Sequence, residues 1–246
     1  MRYDERRTPE RYAFVFAEPD HPDSGTLRAR YGLESLVAGS GSDLEKVRRL
    51  CAWVHTRWDH DGWNKPSMTD PLTILEEAGQ GKAFRCVEYG VVTAACAAAL
   101  GLPSRVLELK TADAETREQG AGHVASEVFL PDRKRWVLVD SQWQMIPMHG
   151  ATPLSGLELR LALDAGASIT SSSTVPEATV RDYLRWIGEY LFYFSAQLDN
   201  RSFGKFDGEK LMLGPLGAKE PTVFQRRLPI LNTVYTHSAR AFYPQP

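Results

Sequence analysis

Three side chains of this sequence could together break or form an acyl bond: Cys86, His123 and Asp140, in that order along the chain. A thiol attacks carbonyl carbon well only as a thiolate, and a helix N-terminus and a nearby imidazolium both favour that form. Cys86 opens an alanine-rich run, Cys86 to Leu100, that predicts a helix. His123 begins the strand-like HVASEVFL, and Asp140 ends the next strand-like run, RWVLVD. The imidazole would serve as base, and the carboxylate would fix its tautomer and stabilise its cation. The chemistry also needs donors for a developing oxyanion. The backbone N–H of Cys86 is one candidate, and the side-chain amide of Gln80, six residues earlier, is another. Taken singly, a cysteine is most often a small buried hydrophobe, a strand-end aspartate often bonds turn amides, and Gln80 could be a plain loop residue. Their joint placement favours catalysis.

The elements that must position these groups can be read from capping and periodicity. Ser42 with Glu45 is a capping-box pattern, followed by Leu44, Val47, Leu50, Cys51, Val54 and Trp58 at helical spacing. Cys51 on that stripe reads as a core thiol. Asp70–Pro71 starts a second short helix that stops at Gly79, and GQGKAFR is a loop leading to the helix of Cys86. That helix carries Ala94, Ala95, Ala97, Ala98 and Ala99, whose small side chains suit a buried central position, and Gly101 with Pro103 ends it. Strands are expected over 104–110, 123–130 and 135–140, with PDRK as the hairpin turn between the last two. In the second of these strands His123 shares a face with Ala125, Glu127 and Phe129. Further on, 171–174 reads as a loop. Val180, Tyr183, Leu184, Ile187, Leu191, Phe194 and Leu198 predict one amphipathic helix, either core or a lid. The stretch from Gly204 to Pro246 has no regular pattern.

Composition narrows the function. The 246 residues are 43% hydrophobic and 24% charged with a net charge of −2, which argues against a nucleic-acid binder led by phosphate contacts. MRYDERRTPERYAF contains no apolar secretory segment, and the longest greasy stretch, Tyr190 to Ala196, is too short to cross a bilayer. Three cysteines, Cys51, Cys86 and Cys96, are an odd count without the close pairing of a zinc site, so a reducing, cytoplasmic setting is expected. The remaining histidines compete poorly. His55 and His60 sit near a helix end where an imidazolium is usually solvated, and His21, His149 and His237 lie in loop-like or uncertain context. No metal and no cofactor are expected, since neither a ligand-spaced histidine pair nor a phosphate-binding fingerprint is present.

The residues around the trio resemble the transglutaminase-like superfamily, a branch of the papain-like cysteine enzymes. Its first block is matched by Cys86, Tyr89 and Gly101-Leu102-Pro103-Ser104-Arg105, its second by His123 and Glu127, its third by Trp136 and Asp140. The blocks lie within about residues 42–145, and SGLELR (Ser155 to Arg160) is similar to a segment that follows the core in some bacterial members. This chain departs from the pattern at Ala125, where many members carry an aromatic residue. It departs again at Phe84-Arg85 ahead of the cysteine, where glycine is common, and at Ser141, where proline often follows the aspartate. The resemblance implies Cys86, His123 and Asp140 as a triad, and the wider papain-like group supports Gln80 as an oxyanion donor.

The expectation is an α+β protein: a transglutaminase-like, papain-like core over residues 1–150, and a helical C-terminal elaboration over 151–246 packed on it. The expected activity is hydrolysis of an amide or peptide bond through a thioester on Cys86, with a peptide, protein or small amide as partner and neither nucleic acid nor membrane. Excluding water from a thioester demands a specialised tunnel, so hydrolysis is preferred to transglutaminase-type transfer to an amine. Peptide deglycosylation shares this triad but is disfavoured, because the CxxC zinc pairs of the eukaryotic form are missing. The same fold could also serve as a catalytically silent peptide-binding module, and occlusion of Cys86 by the aromatic helix would favour that role.

Overall fold

The computed structural model describes residues 1–5 and 12–246; residues 6–11 of the N-terminal stretch lie outside it. After β1 (Val15–Phe16), α1 (Pro22–Tyr31) and α2 (Leu33–Val37), the helices begin where their caps predict. Ser42 Oγ accepts from the Glu45 backbone N–H at 3.2 Å to start α3 (Asp43–His55). Asp70 Oδ1 accepts from Thr73 N–H at 2.9 Å to start α4 (Pro71–Gly79). Trp58 lies beyond the end of α3 yet is buried, because its ring packs on Tyr89 at 4.5 Å. Next comes α5 (Cys86–Ala99), whose third residue, Glu88, reaches back to accept from the Arg85 N–H at 3.1 Å.

The three expected strands follow as β2 (Ser104–Lys110), β3 (Gly122–Leu130) and β4 (Arg135–Val139). They pair antiparallel, with Leu109 opposite His123 and Ser126 opposite Val139. A small sheet of β5 (Pro147–His149), β6 (Thr152–Pro153) and, after α6 (Gly156–Asp164), β7 (Thr170–Ser171) leads to α7 (Glu177–Ile187). The short strand β7 stands where the sequence suggested only a loop.

The expected amphipathic helix over 180–198 is corrected here. It stops at Ile187, and β8 (Tyr193–Gln197) takes the rest. In β8 the alternation is hidden because both faces are covered: Phe194 and Ala196 enter one core, while Tyr193 and Ser195, on the other face, are also buried. The elaboration is therefore not wholly helical. Beyond β9 (Asp199–Asn200), β10 (Lys210–Leu213), the hairpin of β11 (Val223–Phe224) and β12 (Leu228–Pro229), β13 (Thr233–Thr236) and α8 (Ala239–Phe242) complete the chain. The main sheet has six strands in the order β13-β10-β8-β2-β3-β4, so half of it comes from residues after 150.

Helices cover both faces of that sheet. On one side α1, α3, α4 and α5 supply Leu27, Val47, Ile74 and Val92 to a core with Val128 and Val137. On the other, Leu157, Leu159, Tyr183, Ile187 and Phe242 pack on Leu107, Leu138 and Leu213. α5 sits very close to β3: a Cβ added at Gly90 would lie 2.8 Å from Val124 Cγ1 and 2.9 Å from the Ala125 carbonyl oxygen.

Three of the motif residues hold this architecture together. Arg105 and Glu127, both 0% exposed, form an ion pair at 2.6 Å. Glu127 also accepts from Gly156 N–H and Tyr243 O–H, each at 2.9 Å, and Arg105 donates to the Phe242 carbonyl at 2.7 Å. Trp136 lies under the Arg105 guanidinium at 4.6 Å and donates to the Pro244 carbonyl at 2.7 Å. A buried charge pair is tolerated when its remaining donors and acceptors are also satisfied, as they are here. These residues tie α6, α8 and the chain end to the sheet.

Candidate active site

Cys86 is the first residue of α5, so its backbone N–H has no partner inside the helix and lies at the positive end of the helix dipole. Its side chain is half-buried. The close fit of Gly90 on Val124 and Ala125 brings this helix start down onto the first residues of β3. His123 is there, 3% exposed.

Asp140 follows β4 and forms a bridge with Met145, donating its N–H at 2.9 Å and accepting Met145 N–H at 2.8 Å. The β3–β4 register, extended by one residue, sets Asp140 across from Ala125, whose face His123 shares. His123 Nε2 and Asp140 Oδ2 are 2.7 Å apart, and Asp140 is 1% exposed. That contact leaves Nδ1 of the ring for the thiol. Burial alone would lower the His123 pKa, but the charge and hydrogen bond of Asp140, with smaller contributions of both kinds from Cys86, hold it up at about 10. The buried Asp140 carboxylate therefore favours the protonated ring beside the sulfur.

The opposite side of the ring is walled by aromatic side chains. Trp186 meets His123 edge-on at 4.8 Å, Tyr190 lies at 6.1 Å, and Trp143 lies tilted against Trp186 at 5.2 Å. Asp140 Oδ1 and the Tyr183 hydroxyl are both buried without a well-formed hydrogen bond among the described residues. Burial, then the adjacent Asp140 charge, pushes the Tyr183 hydroxyl well above its ordinary range. Helix α7 thus backs the histidine and leaves the thiol clear. Cys86 and His123 both line a cavity of about 630 Å³ on the α5 side of the sheet.

Gln80 does not join them. It is the exposed C-cap of α4 and is not part of the cavity wall. The helix of Asp70 ends one residue before it, so the amide stays at the outer turn. Of the two donor positions named from sequence, the Cys86 N–H lies at the helix start beside the cavity. His60 keeps an exposed position, as expected, while its backbone forms a bridge with Phe84, two residues before the thiol. Its pKa is lowered by burial and then by the His123 charge, which places it within electrostatic reach of the trio. Sequence offered no signal for His60. Of the aromatic wall, the amphipathic stripe read from sequence included Tyr183 alone; Trp143 and Trp186 were not singled out.

The other thiols differ from Cys86. Cys51 and Cys96 are fully buried, and burial pushes both up to about 12. Among the described residues no helix is long and apolar enough to cross a membrane.

Comparison with curated proteins returned no match. Among solved structures, the chain is similar to a candidate cysteine protease from Cytophaga hutchinsonii, with 18% identity and a TM-score of 0.40 over 61% of this chain and 47% of that one. It is also similar to a TGase, with 20% identity and a TM-score of 0.36 over 48% of this chain and 31% of that one. The chain thus spans less than half the length of each. The family model of the transglutaminase-like superfamily matches residues 33–141, a span that contains α3, α4, α5 and the strands of His123 and Asp140. The similarity to the transglutaminase-like superfamily therefore covers residues 33–141, the part of the chain that carries Cys86, His123 and Asp140.

Proposed function

We propose that this protein is a cysteine-dependent hydrolase of amide or peptide bonds, with Cys86 as nucleophile, His123 as general base and acid, and Asp140 orienting the ring. The observation that carries the reading is the 2.7 Å His123–Asp140 pair, buried and coupled to a thiol at a helix start that opens on a cavity. The Cys86 thiolate attacks the carbonyl carbon, and the carbonyl electrons move to oxygen facing the Cys86 N–H. Collapse of this adduct expels the amine, which takes the proton from His123 Nδ1 and leaves a thioester. A water then attacks the thioester, giving its proton to His123, and the C–S bond breaks to return the thiolate and release the acid.

The cavity is open rather than a closed channel around the thiol, which favours water over an amine as acceptor. A partition assay tests this. With a small activated amide and increasing primary amine, the acid should remain the main product. Amine adduct dominating at modest amine concentration would make the protein a transglutaminase, and a site that never acylates across a broad panel would make it a binding module.

A further inference from the structure

The cavity beside Cys86 continues over one face of the sheet, and its floor carries charge that the acyl-transfer step does not use. Glu108 on β2 pairs in register with Val124 on β3 and with Ser195 on β8, and Ser195 pairs with Met212 on β10. All of these line the cavity, as do Lys110 and Lys210, each two residues along its strand on the same face. Glu108 Oε2 accepts from Lys110 Nζ at 3.2 Å, and Oε1 accepts from Lys210 Nζ. One carboxylate therefore serves two ammonium groups whose side chains are only 9% and 14% exposed.

The donor account does not close. Two ammonium groups carry six N–H bonds, and Glu108 takes one from each. Ser195 Oγ, in a residue 0% exposed between these groups, has no partner among the described residues. Other charges at the cavity do not cancel the excess. Arg85 is held by Glu88 at 2.5 Å, and Asp207 is exposed at the rim. Phe224 and Phe206 sit 6.0 and 5.5 Å from the two ammonium nitrogens and present ring faces, which accept poorly.

We propose that Lys110, Lys210 and Ser195 form a subsite for a carboxylate of the substrate, so that the bond cleaved lies near an acidic residue or a free chain end. The proposal rests on the hydrolase reading above. Glu108 bridges the two lysines and leaves the unliganded group with one positive charge in excess. Burial lowers the pKa of Lys110 despite Glu108, so a second carboxylate would also relieve an underpaired cation. Neighbouring strands are about 4.8 Å apart, and Val124 meets Gly90, one turn into α5. The subsite is therefore roughly 10 Å from the thiol, or about three residues of extended peptide. Leu228 and Leu231, 59% and 67% exposed, form the opposite apolar wall, which suits aliphatic residues between the acid and the scissile bond.

The test uses the full chain and two readouts. In the first, peptide amides carrying Glu or Gln at each position within three residues of the cleaved bond, and ending in a free carboxylate or a carboxamide, are compared by kcat/KM. One placement of the carboxylate should be preferred by about tenfold or more, and the position identifies a side chain or a chain end as its source. Lys210→Met and Lys110→Met each leave Glu108 one partner, and either should reduce the preference to about twofold or less; Lys210→Glu should invert it. The second readout needs no turnover: the ratio of Cys86 alkylation rates by iodoacetate and by iodoacetamide should fall several-fold in either methionine variant. A fall in that ratio without any peptide turnover would keep the subsite and overturn the hydrolase reading. Turnover without a carboxylate preference, or a ratio unmoved by both variants, would overturn the subsite.

Discussion

Replacing Asp140 with asparagine tests the buried pair at the centre of the site. The two side chains are 3% and 1% exposed and 2.7 Å apart. His123 is raised to about 10 from its free value of 6.5, and at about 1.4 kcal/mol for each unit this difference sets a ceiling near 5 kcal/mol. Breaking a buried pair from one side costs about 3–5 kcal/mol, in the same range. In Asp140→Asn the carboxamide can still accept from the ring but carries no charge, so burial takes over and His123 falls to or below about 6.5. The pH dependence follows from the sign of the shift. A histidine raised in the folded state contributes its full stability below the unfolded value, about 6.5, and loses it as pH rises through about 10. Urea unfolding should therefore show wild-type protein more stable than Asp140→Asn by about 3–5 kcal/mol near pH 6, with the gap narrowing steadily toward pH 10. The His123 Cε1 proton, followed by NMR in both proteins, gives the two titrations directly. A stability gap that ignores pH, or a wild-type His123 that titrates near 6.5, would refute the reasoning.

Three other outcomes are expected. Iodoacetamide at mildly acidic pH should label Cys86 and spare Cys51 and Cys96, whose thiols burial holds near 12, and His123→Ala should slow that labelling at least tenfold; mass spectrometry of tryptic peptides reads both. Gly90→Ala should cost about 1–3 kcal/mol by overpacking and slow Cys86 alkylation, because the new Cβ meets Val124 and the Ala125 carbonyl and must lift α5 off β3; a stable variant with unchanged alkylation would remove the role of that contact. Gln80→Ala should change turnover less than twofold, whereas loss of an oxyanion donor costs about one hundred- to one thousandfold.

Local signals made the fold legible from α3 to β4, whereas β1, α1 and α2 before them were not read. Ser42, Asp70 and the Gly101–Pro103 pair each mark an end that depends on one or two neighbouring side chains. The strands of His123 and Asp140 were readable because turn residues bound them on both sides. The same signals could not say that Arg105, Glu127 and Trp136 form one buried cluster with the chain end, since their partners lie up to 137 residues away. The strand at Tyr193–Gln197 was hidden by burial on both faces, which erases a period of two and let its apolar residues extend the preceding helix. β10 and β13 were unreadable because each is only four residues long and gains its strand geometry from pairing: β10 with β8 and β13, β13 with β10. The trio itself was visible in sequence, whereas the exposed position of Gln80 depends on where a helix C-terminus points. The lysine pair on the cavity floor required the register of three strands, two of them contributed from opposite sides of residue 150.

The most direct measurement of the central claim is intact mass spectrometry of the protein mixed rapidly with an activated amide or ester of an acidic peptide. The account predicts a mass increase of one acyl group, mapped to Cys86, discharged by water at the rate of turnover, severely slowed in formation by Cys86→Ser and absent from Cys86→Ala. Turnover retained in Cys86→Ala, or an acyl group carried on any other residue, would contradict it.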